Sequence, residues 1–344
     1  MKKFAVIILL CLFLADTFAQ ELEVTWDVEY EWLFDNREYK SDYAIPQTIF
    51  GSRLQPQLGL SWDDNNSLNI GGEVFISMGK EGYFDNFLPL MYYDYDNDKY
   101  NFAAGVIPRS KMLGNYPTAF FSDSTNFYRP IIEGCLFNYQ SGRGYFEFGC
   151  SWVGLLSEDR REQFLIFSSA EMLRGRLFAG YYFTMMHYAM RKGEHGVVDN
   201  MLALPYVGVN IGGIGNVIDD SNLSVGAMAA FQRDRAYDDA RYPLGLYVNL
   251  NLQKWRFGLE NTLYLGENLM PFYYGHEDDY YGADLYYGDP YYQTSSVYNR
   301  LEVFFEAIST KRVSMKIATV HHYDGSVLDW QQVLKLTVNL GGKF

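Results

Sequence analysis

Residues 21–34 alternate between apolar and polar side chains for longer than a soluble strand usually does, and this pattern limits what the chain can fold into. Apolar residues occupy every even position of the stretch, namely Leu22, Val24, Trp26, Val28, Tyr30, Trp32 and Phe34. Successive side chains of a β-strand point to opposite faces, so this segment has one apolar face and one largely acidic face. Strands of soluble proteins run for about 5 to 6 residues, whereas a tilted strand that crosses a bilayer needs about 9 to 11. The pattern therefore favours a membrane-spanning strand.

Residues 328–344 repeat this alternation. Apolar side chains again occupy the even positions, apart from Gln332 and Gly342, and they are Leu328, Trp330, Leu334, Leu336, Val338, Leu340 and Phe344. A last strand that finishes in an aromatic residue resembles the assembly signal of Gram-negative outer-membrane β-barrels. This resemblance implies insertion into the outer membrane, with the barrel-assembly machinery as a partner that binds the strand ending at Phe344.

The first residues have the composition of a cleavable secretory signal. Lys2 and Lys3 precede an apolar stretch at 4–14, and Ala19 ends a small-residue site. We expect a signal peptide at 1–19 and a single domain at 20–344. No later segment approaches the roughly 18 uncharged apolar residues that a membrane-spanning helix requires. The sequence therefore predicts an exported protein that enters the membrane, if at all, as a barrel.

Composition agrees with a barrel and excludes one class of partner. The formal net charge is −14, so nucleic acid is not expected to bind, because phosphate recognition requires a basic surface. Aromatic residues make up 18% of the chain, with 30 Tyr and 25 Phe. Aromatic side chains collect in two girdles at the membrane interfaces of outer-membrane barrels, which predicts contact with outer-membrane lipid and lipopolysaccharide.

Sixteen segments can be read with a period of two, and the connections between them fall into two classes. Short turns alternate with mostly longer loops along the chain, as in 63–66 against 35–46, or 174–175 against 266–294. Outer-membrane barrels keep short turns on the periplasmic side and long loops outside. We therefore predict an all-β, antiparallel up-and-down transmembrane barrel of about sixteen strands, within a range of fourteen to eighteen.

The polar faces of these strands would line the lumen of such a barrel. The charged lumen candidates are Asp27, Glu29, Glu31, Arg53, Glu73, Arg256, Glu260, Arg300, Glu302 and Lys335. A sixteen-stranded barrel is usually wide enough for an aqueous channel, so these charges could set the selectivity for small solutes. Alternatively, they pair with one another and fill a plugged interior. The sequence leaves both interpretations open.

The loop at 107–126 is a candidate constriction. In sixteen-stranded general porins the loop at this chain position folds inward, and this one carries Arg109, Lys111, Tyr116 and Asp123. Phe120 and Phe121 could pack it against the wall. An ordinary surface loop is the alternative interpretation.

The loop at 266–294 contains four Tyr-Tyr pairs among acidic residues. We consider six tyrosines as surface-binding candidates, and they are Tyr273, Tyr274, Tyr280, Tyr281, Tyr286 and Tyr287. Stacked tyrosines beside carboxylates could grip a sugar. The alternative is that they simply keep an outer loop ordered.

The segment 127–139 changes the parity of its apolar residues, and a bulge near Glu133 and Gly134 would restore one outward face. The hairpin that follows would place Cys135 opposite Cys150. In an oxidising compartment the two thiols could form a disulfide. Alternatively they are two small lipid-facing residues.

Catalysis is not expected. The histidines His187, His195, His276, His321 and His322 fall near the ends of predicted strands, where some barrel proteases place an Asp-His pair, but no motif of those enzymes is matched. No residue spacing singles out a Ser-His lipase site or a calcium loop. We predict no enzyme, no cofactor and no metal site.

Segments 105–130 and 266–300 resemble uncharacterised Bacteroidetes outer-membrane barrel proteins of similar length. The resemblance implies location and architecture but brings no substrate. The sequence therefore predicts a porin-like channel for the passive passage of small hydrophilic solutes. The alternative is a plugged or closed barrel that binds a surface ligand or a partner through its tyrosine-rich loop.

Overall fold

The alternating segments form β-strands of one closed sheet. A computed structural model describes residues 22–81, 86–192, 196–213, 219, 221–276 and 280–344, so the predicted signal at 1–19 lies outside the described residues. The strands are β1 (Glu23–Glu38), β2 (Gln47–Ser61), β3 (Asn66–Ser77), β4 (Asn86–Asp96), β5 (Tyr100–Pro108), β6 (Ile131–Ser141), β7 (Gly144–Gly154), β8 (Gln163–Arg174), β9 (Leu177–Ala189), β10 (Val197–Asn210), β11 (Ser221–Asp234), β12 (Asp239–Arg241), β13 (Leu244–Lys254), β14 (Phe257–Gly266), β15 (Val297–Ser309), β16 (Val313–Tyr323) and β17 (Leu328–Lys343).

Each strand pairs antiparallel with its neighbours in the chain, and β17 pairs with β1 to close the barrel. The three-residue β12 pairs with the end of β11. The rest of β11 pairs directly with β13, so β12 is an addition at the rim and the wall itself has sixteen strands. The predicted all-β up-and-down barrel of sixteen strands is confirmed. Among the described residues, no helix is both long and apolar enough to cross a membrane.

The two ends of the barrel differ in their connections, as the sequence predicts. At the turn end, where β1 begins and β17 ends, most connections have two to four residues, such as 142–143 and 255–256. At the loop end the connections include 109–130 and 267–296. By comparison with outer-membrane barrels, the turn end is the periplasmic one.

The wall exposes apolar side chains and hides polar ones. On β2, Leu54 and Leu58 are 40% and 56% exposed, whereas Arg53 and Gln55, on either side of Leu54, are only 7% and 2% exposed. A soluble protein has the opposite arrangement, because water favours polar side chains outside. The outer face of this barrel therefore suits lipid, and its lumen holds the charges.

The predicted bulge near Glu133 and Gly134 is wrong. Residues 123–128 form a short helix, α1 (Asp123–Tyr128), and the strand begins only at Ile131. The pairing of β5 with β6 runs without a register shift through Glu133 and Gly134 as far as Ile131. Ile132 faces the lumen and is fully buried there. The apolar residues of this segment change parity because Ile132 makes apolar contacts inside the lumen, and no bulge is needed.

The predicted neighbourhood of the two cysteines is confirmed, whereas the disulfide stays a prediction. Cys135 of β6 lies directly opposite Cys150 of β7. Both thiols are free and half-buried. Direct cross-strand neighbours rarely satisfy the dihedral geometry of a disulfide, which agrees with the alternative of two small outward-facing residues.

Candidate functional site in the barrel lumen

The connection between β5 and β6, residues 109–130, folds into the barrel, and we call it loop A. Pro108 ends β5, a short 3-10 helix follows at Arg109–Lys111, and α1 completes the loop. Ser122 caps α1 by accepting a hydrogen bond from the backbone N–H of Thr125 at 3.1 Å. Phe120 and Phe121 are 3% and 2% exposed. Apolar side chains inside the lumen thus hold loop A away from solvent.

The wall of the lumen also provides polar anchors for loop A. The carboxylate of Glu147, on β7, accepts hydrogen bonds from the backbone N–H groups of Leu113 and Gly114. The ring of Tyr116 lies 5.1 Å from that of Phe121 and 5.3 Å from that of Tyr182 on β9. Loop A is therefore fixed against one side of the wall.

The connection between β14 and β15, residues 267–296, also enters the barrel, and we call it loop B. The predicted surface role is wrong for Tyr281, Tyr286 and Tyr287, which are buried, and Tyr273 is half-buried. Only Tyr274 and Tyr280 of the six candidates are well exposed, at 65% and 63%.

Two buried tyrosines of loop B, Tyr281 and Tyr286, satisfy their hydroxyl groups on the lumen wall. Tyr281 donates a hydrogen bond to Asp234 at 2.6 Å, and Tyr286 donates one to Gln232 at 2.5 Å. Both acceptors lie on β11. Burial of a tyrosine ring is favoured where its hydroxyl finds a hydrogen-bond partner, and the polar lumen face supplies such partners to Tyr281 and Tyr286. This is why the tyrosines face inward.

Loops A and B contact each other and form one plug. The backbone N–H of Ser122 donates to the carbonyl of Tyr287 at 2.8 Å, and that of Asp289 donates to Thr118 at 2.7 Å. A Cβ atom on Gly288 would stand 2.0 Å from the carbonyl oxygen of Ala119, so only glycine permits this approach. Burial raises the pKa of Asp289 to about 6. The plug fills the loop half of the lumen with a continuous apolar core.

Two cavities remain beneath and beside the plug. The turn-end cavity has a volume of about 530 Å³ and is lined by tyrosine and asparagine side chains such as Tyr182, Tyr206 and Asn249. The wall cavity, of about 180 Å³, runs along β1, β16 and β17 beside Glu31 and Lys335. The residues that border both cavities are Asp123, Asn126, Arg300, Glu302 and Lys316.

The border between the two cavities is a charged junction in which loop A meets the wall. Arg300 contacts Asp123 of α1 at 3.0 Å and Glu302 at 2.9 Å. Lys316 contacts the other oxygen of Glu302 at 2.5 Å. Burial raises the pKa of Asp123, but the positive charges of Arg300 and Lys316 outweigh it and hold this pKa below its ordinary value. The junction therefore carries both signs of charge.

A second charged group lies on the other side of α1. Arg53 approaches the carboxylates of Glu31, Glu29 and Glu73 at 3.4, 4.0 and 3.9 Å, and Lys335 contacts Glu31 at 2.8 Å. Arg53 also donates a hydrogen bond to the carbonyl of Phe127 at 3.0 Å. The predicted lumen charges on β1, β2, β3 and β17 thus come together and bind the end of α1.

The remaining candidates are scattered. Glu260 lines the turn-end cavity, and Asp27 is exposed on β1. Lys111 contacts Asp94 at 2.7 Å. Asp94 occupies an even position of β4, like the buried Leu90 and Tyr92, so the alternation could have identified it as a lumen residue.

The lumen position predicted for Arg256 is wrong. This residue lies exposed in the turn before β14, where its guanidinium donates to the carbonyl of Ala307 at 3.0 Å. The alternation suggested a strand from residue 255, but the strand starts two residues later, at Phe257.

A closed antiparallel wall with an apolar outer face, a charged lumen and inserted loops defines an integral β-barrel of the outer membrane. The chain belongs to the lipid A 3′-O-deacylase-type family, whose model matches residues 17–342. No curated protein matches it.

Solved structures of outer-membrane proteins share the fold. A loop L8 deletion mutant of OmpT, an outer membrane protein of Vibrio cholerae, has a TM-score of 0.55 at 10% identity and covers 93% of this chain and 99% of its own. OpdK of Pseudomonas aeruginosa gives 0.45 at 10% identity, with 93% and 99% covered. OprD of Pseudomonas aeruginosa gives 0.45 at 11%, with 93% and 94% covered. At these identities the likeness concerns the fold alone.

Proposed function

We propose that this protein is a porin-like channel that passes small hydrophilic solutes along a narrow path beside its plug. The observation that carries the proposal is the charged junction, because the turn-end cavity and the wall cavity share it as a border. Asp123 of loop A faces Arg300 and Glu302 of the wall there. An inserted loop that opposes charged wall residues is an arrangement that can filter solutes by size and charge.

The lining favours polar, weakly charged solutes. The turn-end cavity exposes more polar than apolar surface, through amide groups and tyrosine hydroxyls such as Asn249, Asn251 and Tyr206. At the junction the charges of both signs are already paired, so an ion gains little by replacing one of them. In this proposal the chain is exported by its leader, inserted through its last strand, and surrounded by lipopolysaccharide, as in the Bacteroidetes barrels that it resembles.

The test is the conductance of the purified, folded protein in a planar bilayer. We expect stable, stepwise insertions of small conductance, because the plug occupies most of a lumen that would otherwise be wide. Detergent without protein is the blank, and unheated electrophoretic mobility establishes that the barrel is folded. Silence from folded protein would reject the channel and favour the alternative of a plugged barrel that docks a ligand or partner.

A second candidate function comes from the name of the family, which refers to removal of a 3′-O-acyl chain from lipid A. One pair of side chains has the chemistry that such a reaction would need. His187 and Asp199 are opposite neighbours on β9 and β10, with Nδ1 and Oδ1 3.7 Å apart. Met186 and Tyr188 on either side are buried in the lumen core, so His187 faces the outside. A histidine beside a carboxylate can accept a proton from water that attacks an ester.

The deacylase candidate predicts a loss of mass in lipid A. Cells that produce the protein would show lipid A lacking one acyl chain, whereas cells producing His187→Ala would show it intact, because the base is removed. His321→Ala, a change of another histidine near the loop end, is the matched control and should behave as the parent. Mass spectrometry of extracted lipid A measures this. Intact lipid A with the folded parent protein would eliminate the candidate.

A further inference from the structure

A third cavity, at the loop end, has a chemistry that the channel does not use. It has a volume of about 370 Å³ and lies above the plug, between loop A, loop B and the wall. Its charged lining residues are Arg109, Arg129, Arg160, Arg161, Arg191, Glu133, Asp159 and Asp284. Five guanidinium groups against three carboxylates leave an excess of two positive charges in a chain whose net charge is −14.

Arg109, which lines this cavity, has two guanidinium nitrogens without a hydrogen-bond partner among the described residues. These two atoms, Nε and Nη1, are buried. The guanidinium lies over the ring of Phe121, 4.5 Å from its centroid. Burial lowers the pKa of Arg109 to about 10, and the charge of Arg129 acts in the same direction, yet the group stays protonated at neutral pH. Burying an unpaired cation is costly unless an anion offsets it.

The neighbouring arginines are held in place by aromatic rings of loop B and of β9. The guanidinium of Arg129 stacks on Tyr287 at 4.4 Å and hydrogen-bonds its hydroxyl group. That of Arg161 lies 4.9 Å from the ring centroid of Tyr188 and 5.7 Å from that of Tyr281. Stacking orients a guanidinium and leaves its in-plane N–H groups able to bind an oxyanion.

The barrel wall is notched beside this cavity. The pairing of β4 with β5 begins only at Met91 opposite Val106, whereas β6 continues to pair with β5 up to Pro108 opposite Ile131. Asn86 and Leu88 of β4 line the cavity from the far side of this gap. The cavity is therefore bordered by a part of the wall in which the ladder is incomplete.

The geometry points to a binding site for a phosphoryl group at this cavity, with Arg109 and Arg129 as its main donors. A phosphate monoester carries a charge of about −1.5 to −2 at pH 7, which matches the excess charge of the lining. Its oxygens accept the paired N–H groups of guanidinium in a bidentate manner. The group can come from solution at the loop end or from a lipid headgroup at the notch. This site does not depend on the channel function.

The experiment compares two sources of the same chemistry on the folded, full-length protein. The first arm titrates inorganic phosphate in zwitterionic detergent, and the second uses vesicles of phosphatidylcholine with or without phosphatidic acid. The readout is the thermal unfolding midpoint, since a ligand that binds only the native state raises it. We expect a saturable increase in at least one arm, and the arm in which it occurs identifies the source.

The variant that tests the site is Arg109→Gln, which keeps the size and removes the charge. We expect at least a ten-fold loss of apparent affinity, whereas Arg143→Gln, at an exposed turn on the opposite end, should leave affinity unchanged. Arg109→Lys keeps the charge but loses the bidentate donors, so it should also lose affinity several-fold. If the glutamine variant does not fold, the affinity of Arg109→Lys provides the test. Equal responses of the parent and the folded Arg109 variants in both arms would overturn the proposal.

Discussion

Excision of residues 113–121 from loop A is expected to raise single-channel conductance several-fold. These residues include Tyr116, Phe120 and Phe121, which occupy the lumen together with loop B. A sixteen-stranded wall encloses enough space for water once its filling is removed. The wall itself should persist, because its ladders run from strand to strand and close through β1 and β17.

The matched control for this excision shortens the turn at 324–327, which lies at the same end of the barrel but outside the plug. Asp324 accepts hydrogen bonds there from Ser326 and Val327 of its own turn. Its shortening should leave conductance unchanged. A loop A excision variant that folds and conducts no better than the parent would show that the plug does not limit the path.

Arg300→Gln is expected to have the largest effect of a single substitution on both stability and ion selectivity. Arg300 is 6% exposed and contacts two carboxylates, those of Asp123 and Glu302. Removing one partner of a fully buried ion pair costs about 3 to 5 kcal/mol. The loss here should be smaller, because Lys316 still contacts Glu302 and the Asp123 side chain is half exposed. Asp123 would be left without its cation and would then attract cations to the junction.

Two measurements check this expectation. Urea unfolding in lipid vesicles should show a decreased free energy of unfolding, and the reversal potential in a salt gradient should shift towards cation preference. Arg300→Lys retains the charge and should lose less in both. Arg241→Gln removes an exposed partner of Asp239 and should change neither appreciably. An unchanged reversal potential in a folded Arg300→Gln channel would place the filter elsewhere.

The wall of the barrel could be predicted from the sequence because each strand reports its environment locally. On β1 and β17 one face meets lipid and the other meets the lumen, so alternation persists along both. The register that places Cys135 opposite Cys150 followed from the length of one turn. Parity likewise placed Arg53, Glu31, Arg300 and Glu302 in the lumen.

The plug could not be predicted in the same way, because its contacts join residues far apart in the chain. The hydroxyl groups of Tyr281 and Tyr286 donate to acceptors on β11. The Tyr-Tyr pairs in the sequence do not indicate which strand would supply these acceptors. Ile132 broke the expected alternation because loop A makes its part of the lumen apolar. Arg256 was misplaced because one residue at the start of a strand decides between turn and wall.

The position of both inserted loops at the same end of the barrel has a consequence for biogenesis. Because loops A and B enter from the loop end, neither has to pass between β1 and β17 when these two strands pair and close the barrel. The cylinder can close around water first and lose that water afterwards, as the aromatic side chains of the two loops meet. Insertion into the bilayer and drying of the interior are then separable events, and a sequence change in the plug can alter the second without disturbing the first.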